Sequence, residues 1–279
     1  MPGLVEIPPF PGGKRIAVTT SFDDGDTFDR RIVAAFNEWG LKGTFNLNSG
    51  KLGRTGVRPP DNTFAKLDAS EVASLYEGHE VAIHTVTHPH LPRLDASQIV
   101  REVLDDRRAL EDLVGYPVRG MAYPYGSYDQ RVADLLRSLG IVYCRTCENA
   151  PRCFPPRDPL AWPTTAHQYA TDPTVPERFA ARYDDPHYSG VFFVWGHGFE
   201  FQKRDDWAGL ERIYKPLSGK PDVWYCTNIE LFDYEEARRR IVIAANLASA
   251  HNPSALTVTL KVDGRFVNVP AGATVRLTD

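Results

Sequence analysis

Apolar, β-branched runs alternate with amphipathic helical patterns along most of this chain, and the residues able to do chemistry fall directly after the runs. Lys14 to Ser21 reads as a buried strand that stops at Asp23-Asp24-Gly25. Glu80 to Ile83 reads as a short strand running into His84-Thr85-Val86-Thr87-His88, and Val191 to Trp195 as another running into Gly196-His197. Alternation of strand and helix implies a parallel sheet, and this many units favour a closed or nearly closed barrel. In such a barrel the loops after the strands build one mouth, so groups far apart in sequence converge there.

The helices between these strands carry their own punctuation. Ile32, Phe36 and Trp39 share a face that Gly40 closes, and a second strand follows at Gly43 to Leu47. Ser70 to Tyr76 has a helical pattern. Asp95 and Gln98 make a capping box for a long helix bearing Ile99, Val103, Leu110 and Leu113. Met121 to Tyr123 reads as a strand entering Pro124-Tyr125-Gly126, and Asp129 caps a helix with Val132, Leu135, Leu136 and Leu139. Further strands are expected at Ile141 to Cys144, around Leu160 to Pro163 and at Val223 to Thr227, with a last helix from about Tyr234 to Ala248. Beyond it, Leu256 to Val262 and Arg265 to Val269 alternate around Asp263-Gly264, a hairpin pattern. Residues 1–251 are expected to form the barrel, and 252–279 a β appendage of the same domain. No internal repeat or low-complexity segment stands out.

Composition narrows the function classes. With 279 residues, 42% of them hydrophobic, the chain can bury one substantial core. Lys plus Arg number 32 against 36 Asp plus Glu, which gives no electrostatic reason to expect nucleic acid. No segment approaches the roughly 20 apolar residues of a membrane helix. The Met1 to Glu6 start also lacks the basic region and apolar run of a secretion signal, so the expectation is a cytoplasmic protein. Four cysteines do not force a disulfide framework at this length. The Cys144-x-x-Cys147 pair with Cys153 nearby has no second knuckle, and ordinary half-buried thiols are the default reading.

One carboxylate and two imidazoles at strand exits are a sensible divalent-metal set, with a second carboxylate left as a base. Asp-Asp-Gly alone is a common turn, and His-x-x-x-His alone can be one turn of a helix. At the end of a buried strand, however, unpaired acids and imidazoles are expensive unless they bind something. On Ser21-Phe22-Asp23-Asp24-Gly25, the His84 to His88 motif, Ala122-Tyr123-Pro124-Tyr125-Gly126 and Val194-Trp195-Gly196-His197, the chain resembles the polysaccharide deacetylases. These enzymes remove acetyl groups from chitin-type or peptidoglycan-type sugars, and the resemblance covers roughly residues 14 to 230.

The resemblance implies a distorted (β/α)7 barrel. It makes Asp23 the general base and Asp24, His84 and His88 the ligands of one divalent ion. Zn2+ comes first, with Co2+ or Ni2+ as alternatives. Thr85 then braces the metal loop, the Tyr125 backbone N–H helps hold the oxyanion, and His197 is the general acid. The chain departs from the family pattern at Ala122, where an arginine that pairs with the catalytic aspartate usually stands. It also lacks a clear match to the Asp and Trp pair that tunes the acid histidine, since Asp206-Trp207 follows His197 rather than preceding it. Val194 replaces the usual leucine.

Arg145 leaves the strand next to that of Ala122 and is the candidate to pair with Asp23, because a guanidinium stays charged and grips a carboxylate. Its alternative is a surface acid. His90 reads as a loop histidine. His167 could line the site or be structural, and Glu200 could orient His197 or be solvated. Phe199, Phe201 and Trp195 read by default as packing. The leading expectation is an amidohydrolase that deacylates an N-acylated sugar or small acylated amine. The alternatives are hydrolysis of another non-peptide C–N bond, such as a formamide or cyclic imide, and an inactive carbohydrate-binding relative. The hairpin edge leaves homo-oligomerisation open.

Overall fold

In the computed structural model, which describes residues 3–58 and 62–278, eight parallel strands ring a closed barrel and a ninth flanks it. These are β1 (Ile16–Asp23), β2 (Thr44–Leu47), β3 (Glu80–Ile83), β4 (Gly120–Ala122), β5 (Tyr143–Asn149), β6 (Trp162–Thr164), β7 (Ala166–His167), β8 (Gly190–His197) and β9 (Val223–Tyr225). All eight residues of β1 are buried, as expected of a strand covered on both faces, and for that reason it reads as a continuous run. The C-terminal half of β1 pairs with β2 and its N-terminal half with β9, while β8 runs along its other edge.

Closure comes from one bent stretch. β6 pairs with β5, β7 pairs with β8, and Thr165 between them donates its N–H to the Phe193 carbonyl at 2.8 Å. Counting β6 and β7 as one staggered strand gives seven staves, the distorted (β/α)7 barrel.

Helices α1 (Asp29–Trp39), α2 (Val72–Leu75), α3 (Ala96–Val114), α4 (Gln130–Ser138), α5 (Val175–Asp184), α6 (Gly198–Lys203), α7 (Ala208–Tyr214) and α8 (Asn228–Arg239) complete the chain. Ile32, Val33 and Phe36 of α1 turn inward, and the N–H of Gly40, at φ 69°, closes the helix on Phe36. The Asp95–Gln98 capping box opens α3, and Asp129 caps α4 by accepting the Val132 N–H. None of the helices among the described residues is long and apolar enough to cross a membrane.

The last helix differs from its expected span of Tyr234 to Ala248. Thr227 and Glu230 form a capping box that starts α8 at Asn228, and after Arg239 the β-branched Val242–Ile243 enters a strand. Val242–Ile243, Ser249–His251 and Thr274–Arg276 make one small antiparallel sheet. Val5–Glu6, Val258–Val262 and Arg265–Val269 make another. The hairpin turns on Asp263 and Gly264, both at positive φ (47° and 85°), as a tight two-residue turn requires. Ala250, Leu260, Val262, Val269 and Leu277 form the core of this layer.

Candidate active site at the barrel mouth

Parallel register brings the chemistry to one level. Asp23, the last residue of β1, is paired with Asn46 on β2 and with His197 at the end of β8. Ala122 on β4 is level with Arg145 on β5, so Arg145 sits one strand over from the position of the expected arginine. It reaches the carboxylate: Nη2 of Arg145 donates to Asp23 Oδ1 at 2.6 Å and also to Oδ2. One nitrogen spans both oxygens, rather than the two-pronged grip a guanidinium can offer. Nη1 turns instead toward the Thr146 carbonyl and the Cys147 sulfur.

The Trp195 ring covers the guanidinium at 4.6 Å, which gives that tryptophan a task beyond packing. Asn46 Nδ2 adds a hydrogen bond to Asp23 Oδ1 at 2.9 Å. Burial alone would raise the Asp23 carboxyl, but Arg145, His84 and His197 outweigh it and hold the group below its usual range.

Asp24, His84 and His88 form a second constellation, with ligand atoms all within 4.8 Å of one another. His84 Nδ1 donates to the Ala122 carbonyl at 2.8 Å, which fixes the tautomer and leaves the Nε2 lone pair for a ligand. His88 Nε2 lies 3.7 Å from Asp24 Oδ1. Burial and the neighbouring His84 depress His88 to about 3, so both imidazole and carboxylate are in their ligating forms at neutral pH. Burial depresses His84 as well, and Asp24 is held well below the usual carboxylate range by Lys66 and the histidines despite its burial. Three preset lone-pair donors of this kind fit a divalent cation.

The backbone around this set is bent in advance. Asp24, Thr85, His88 and Tyr125 all have positive φ, between 58° and 81°. For a β-branched residue such as Thr85 this is costly, and neighbouring contacts hold it in place. Thr85 Oγ1 accepts the His88 N–H at 3.0 Å, and Asn48 Nδ2 donates to the carbonyls of both His84 and Thr85. Tyr125 packs its exposed ring edge-on against His88 at 4.4 Å and flat on His90 at 4.0 Å. His90 is thus part of the mouth and not a bystander in its loop.

Besides Asn46 and Asn48, three supporting residues escaped the sequence reading. Buried Lys66 donates to the Asp24 carbonyl at 2.7 Å and pairs with Asp26 at 3.0 Å. Asp106 accepts the N–H groups of Ser49 and His84, tying the β2 and β3 exits together. Its signal was available, because Asp106 lies between Val103 and Leu110 on the buried stripe of α3, where a carboxylate is out of place. Gln168 is the third, bonded to Glu200 and to the His197 carbonyl. Glu200 joins His197, and His167 joins Glu200, while Phe201 belongs to the core. The four cysteines are free thiols, and only Cys147 is partly exposed.

Residues 11–144, just under half of the chain, match the profile of the polysaccharide deacetylases. The matched stretch holds Asp23, Asp24, His84, His88 and Tyr125 and stops just before Arg145. Over 139 residues the chain is 28% identical to the peptidoglycan-N-acetylglucosamine deacetylase PgdA of Listeria monocytogenes, covering 48% of this chain and 27% of that one. Over 67 residues it is 44% identical to a chitooligosaccharide deacetylase of Bradyrhizobium, covering 24% and 31%. The chain therefore spans only a quarter to a third of these relatives. A solved polysaccharide-deacetylase homologue from Mycobacterium smegmatis has the same fold, with a TM-score of 0.62 at 17% identity over 86% of this chain and 96% of that one.

Proposed function

We propose that this chain is a metal-dependent hydrolase that removes the acetyl group from an N-acetylated sugar. The observation that carries the reading is the placement of the Asp24–His84–His88 donor set beside an Arg145-paired Asp23, with His197 Nε2 3.8 Å from the same Asp23 carboxylate. The relatives act on N-acetylated sugars by name, which supports the substrate class. A divalent ion held by Asp24, His84 and His88 would supply Lewis acidity to the acetyl carbonyl and acidify a water beside it.

The chain's own residues do the rest. Asp23, kept ionised and oriented by Arg145 and Asn46, takes the proton of the attacking water. The resemblance gives the Tyr125 N–H, on the bent loop after β4, the role of holding the developing oxyanion. His197 lies 3.8 Å from Asp23 through Nε2 and gives the leaving amine its proton. Burial lowers the proton affinity of His197, but Glu200, Asp23 and Asp24 together raise it above the ordinary histidine value. The acid form therefore persists toward higher pH.

The test is acetate release from an N-acetylated chito-oligosaccharide by the purified chain supplied with one equivalent of Zn2+, Co2+ or Ni2+. No release with any of the three ions would sink the reading. His197→Ala should slow the amide substrate by ~10²–10⁴-fold, the usual scale for lost acid–base help. The loss should be much smaller for 4-nitrophenyl acetate, whose phenolate leaves without a proton. Equal losses on both substrates would remove His197 from the acid role.

A further inference from the structure

His197 presents its two ring nitrogens to opposite surroundings. Nε2 faces Asp23 at 3.8 Å, and Nδ1 faces Glu200 Oε2 at 3.4 Å. Glu200 lies three residues on, in the first turn of α6, and its Oε2 is the meeting point of a network. That oxygen also accepts the His197 backbone N–H at 3.2 Å and the Gln168 side-chain amide at 2.8 Å, and it lies 3.0 Å from His167 Nε2.

The amide of Gln168 is itself oriented. Its Oε1 accepts the Tyr214 hydroxyl at 3.1 Å, which turns Nε2 toward Glu200 and toward the His197 carbonyl at 2.9 Å. Gln168 can cross here only because residue 196 is glycine, since a Cβ at that position would fall 2.2 Å from the Gln168 side-chain carbon. Gly196, Gln168, Tyr214 and His167 thus all fix one carboxylate against one ring nitrogen of His197.

We propose that Glu200 is the positioning residue of His197. Held by His167 and Gln168, it keeps Nδ1 protonated and Nε2 aimed at the leaving group. Among the described residues no other carboxylate meets Nδ1. Glu200 touches neither the metal-donor set nor Asp23, so it acts through His197 alone. The same carboxylate serves both imidazoles, which makes His167 a clamp on Glu200 and not a second acid. This inference rests on the acid role proposed for His197.

The experiment compares Glu200→Gln, His197→Ala and the double variant, each loaded with Zn2+, on an N-acetylated chito-oligosaccharide and on 4-nitrophenyl acetate. Glu200→Gln keeps the shape and should lower kcat on the amide by ~10–10²-fold, at the low end of acid–base effects, with KM nearly unchanged. The ester should be much less affected. In the His197→Ala background, Glu200→Gln should cost nothing further, because a residue that acts only through another is not additive with it.

His167→Gln, at a partly exposed position, should give a smaller loss with the same amide selectivity and serves if Glu200→Gln fails to fold. Equal loss on amide and ester, or additivity with His197→Ala, would overturn the positioning role. Amide turnover that survives His197→Ala intact overturns the acid assignment, and this inference with it. Amide loss in His197→Ala with wild-type rates in Glu200→Gln and His167→Gln overturns the inference alone.

Discussion

Asp24→Ala and His88→Ala should each release the divalent ion and abolish turnover, while Asp23→Asn should keep the ion and lose ~10²–10⁴-fold in rate, because the base goes and the ligand set stays. The two aspartates are adjacent in sequence and feel the charge of the same histidines, but their direct partners differ. Asp24 stands among His84, His88 and Lys66, and Asp23 among Arg145, Asn46 and His197. A change at one therefore separates from a change at the other. Elemental analysis and acetate release on the same preparations read the two quantities independently.

A readout without turnover exists as well. A ligand that binds only the folded state stabilises it by RT ln(1 + [L]/Kd), about 2.7 kcal/mol at a hundredfold excess over Kd. The wild type should therefore melt at a higher temperature with Zn2+ than after chelation, and Asp24→Ala should lose that difference. Activity that survives excess chelator in protein containing no stoichiometric divalent ion would defeat the metal assignment.

The framework of the fold could be read because parallel strands covered on both faces leave an unmistakable trace. Ile16 to Ser21 is such a run, and so are Glu80 to Ile83 and Val191 to Trp195. The residues that follow those runs landed at the mouth because a barrel has only one end where strands finish. The last helix was misplaced for a different reason. Its capping box at Thr227 and Glu230 is plain in the sequence, but α8 has a mixed surface, with Asn228, Tyr234 and Glu235 among its buried residues, so no clean apolar stripe marked its start.

Helices α6 and α7 are short, and tertiary contacts rather than periodicity define them. Lys66 and Gln168 were illegible because nothing local distinguishes a buried lysine or glutamine from a solvated one. Their partners, Asp24, Asp26, Glu200 and Tyr214, are mostly remote in sequence.

Arg145→Met should destabilise the fold by ~3–5 kcal/mol, the usual cost of leaving a buried charge without its partner. The pair is fully enclosed, with side-chain exposures of 0% for Arg145 and 4% for Asp23, so water cannot replace the guanidinium. Without it, Asp23 loses the hydrogen bonds that orient its carboxylate and the strongest of the charges that offset its burial, so the base is no longer held in line. Turnover should therefore fall by ~10²-fold or more. The ion should stay bound, because Arg145 touches Asp23, Thr146, Cys147 and Trp195 but no member of the donor set.

A second variant separates the two losses. Arg145→Met combined with Asp23→Asn removes both charges, and swapping a buried ion pair for uncharged groups is often close to neutral. The double variant should regain most of the lost stability and none of the activity. Denaturant titration supplies the stability values, and acetate release with metal analysis supplies the rest. An Arg145→Met protein with wild-type kcat would show that Asp23 needs no cation beside it. A double variant no more stable than Arg145→Met alone would mean that Arg145 stabilises the barrel through Trp195 packing and not through its charge.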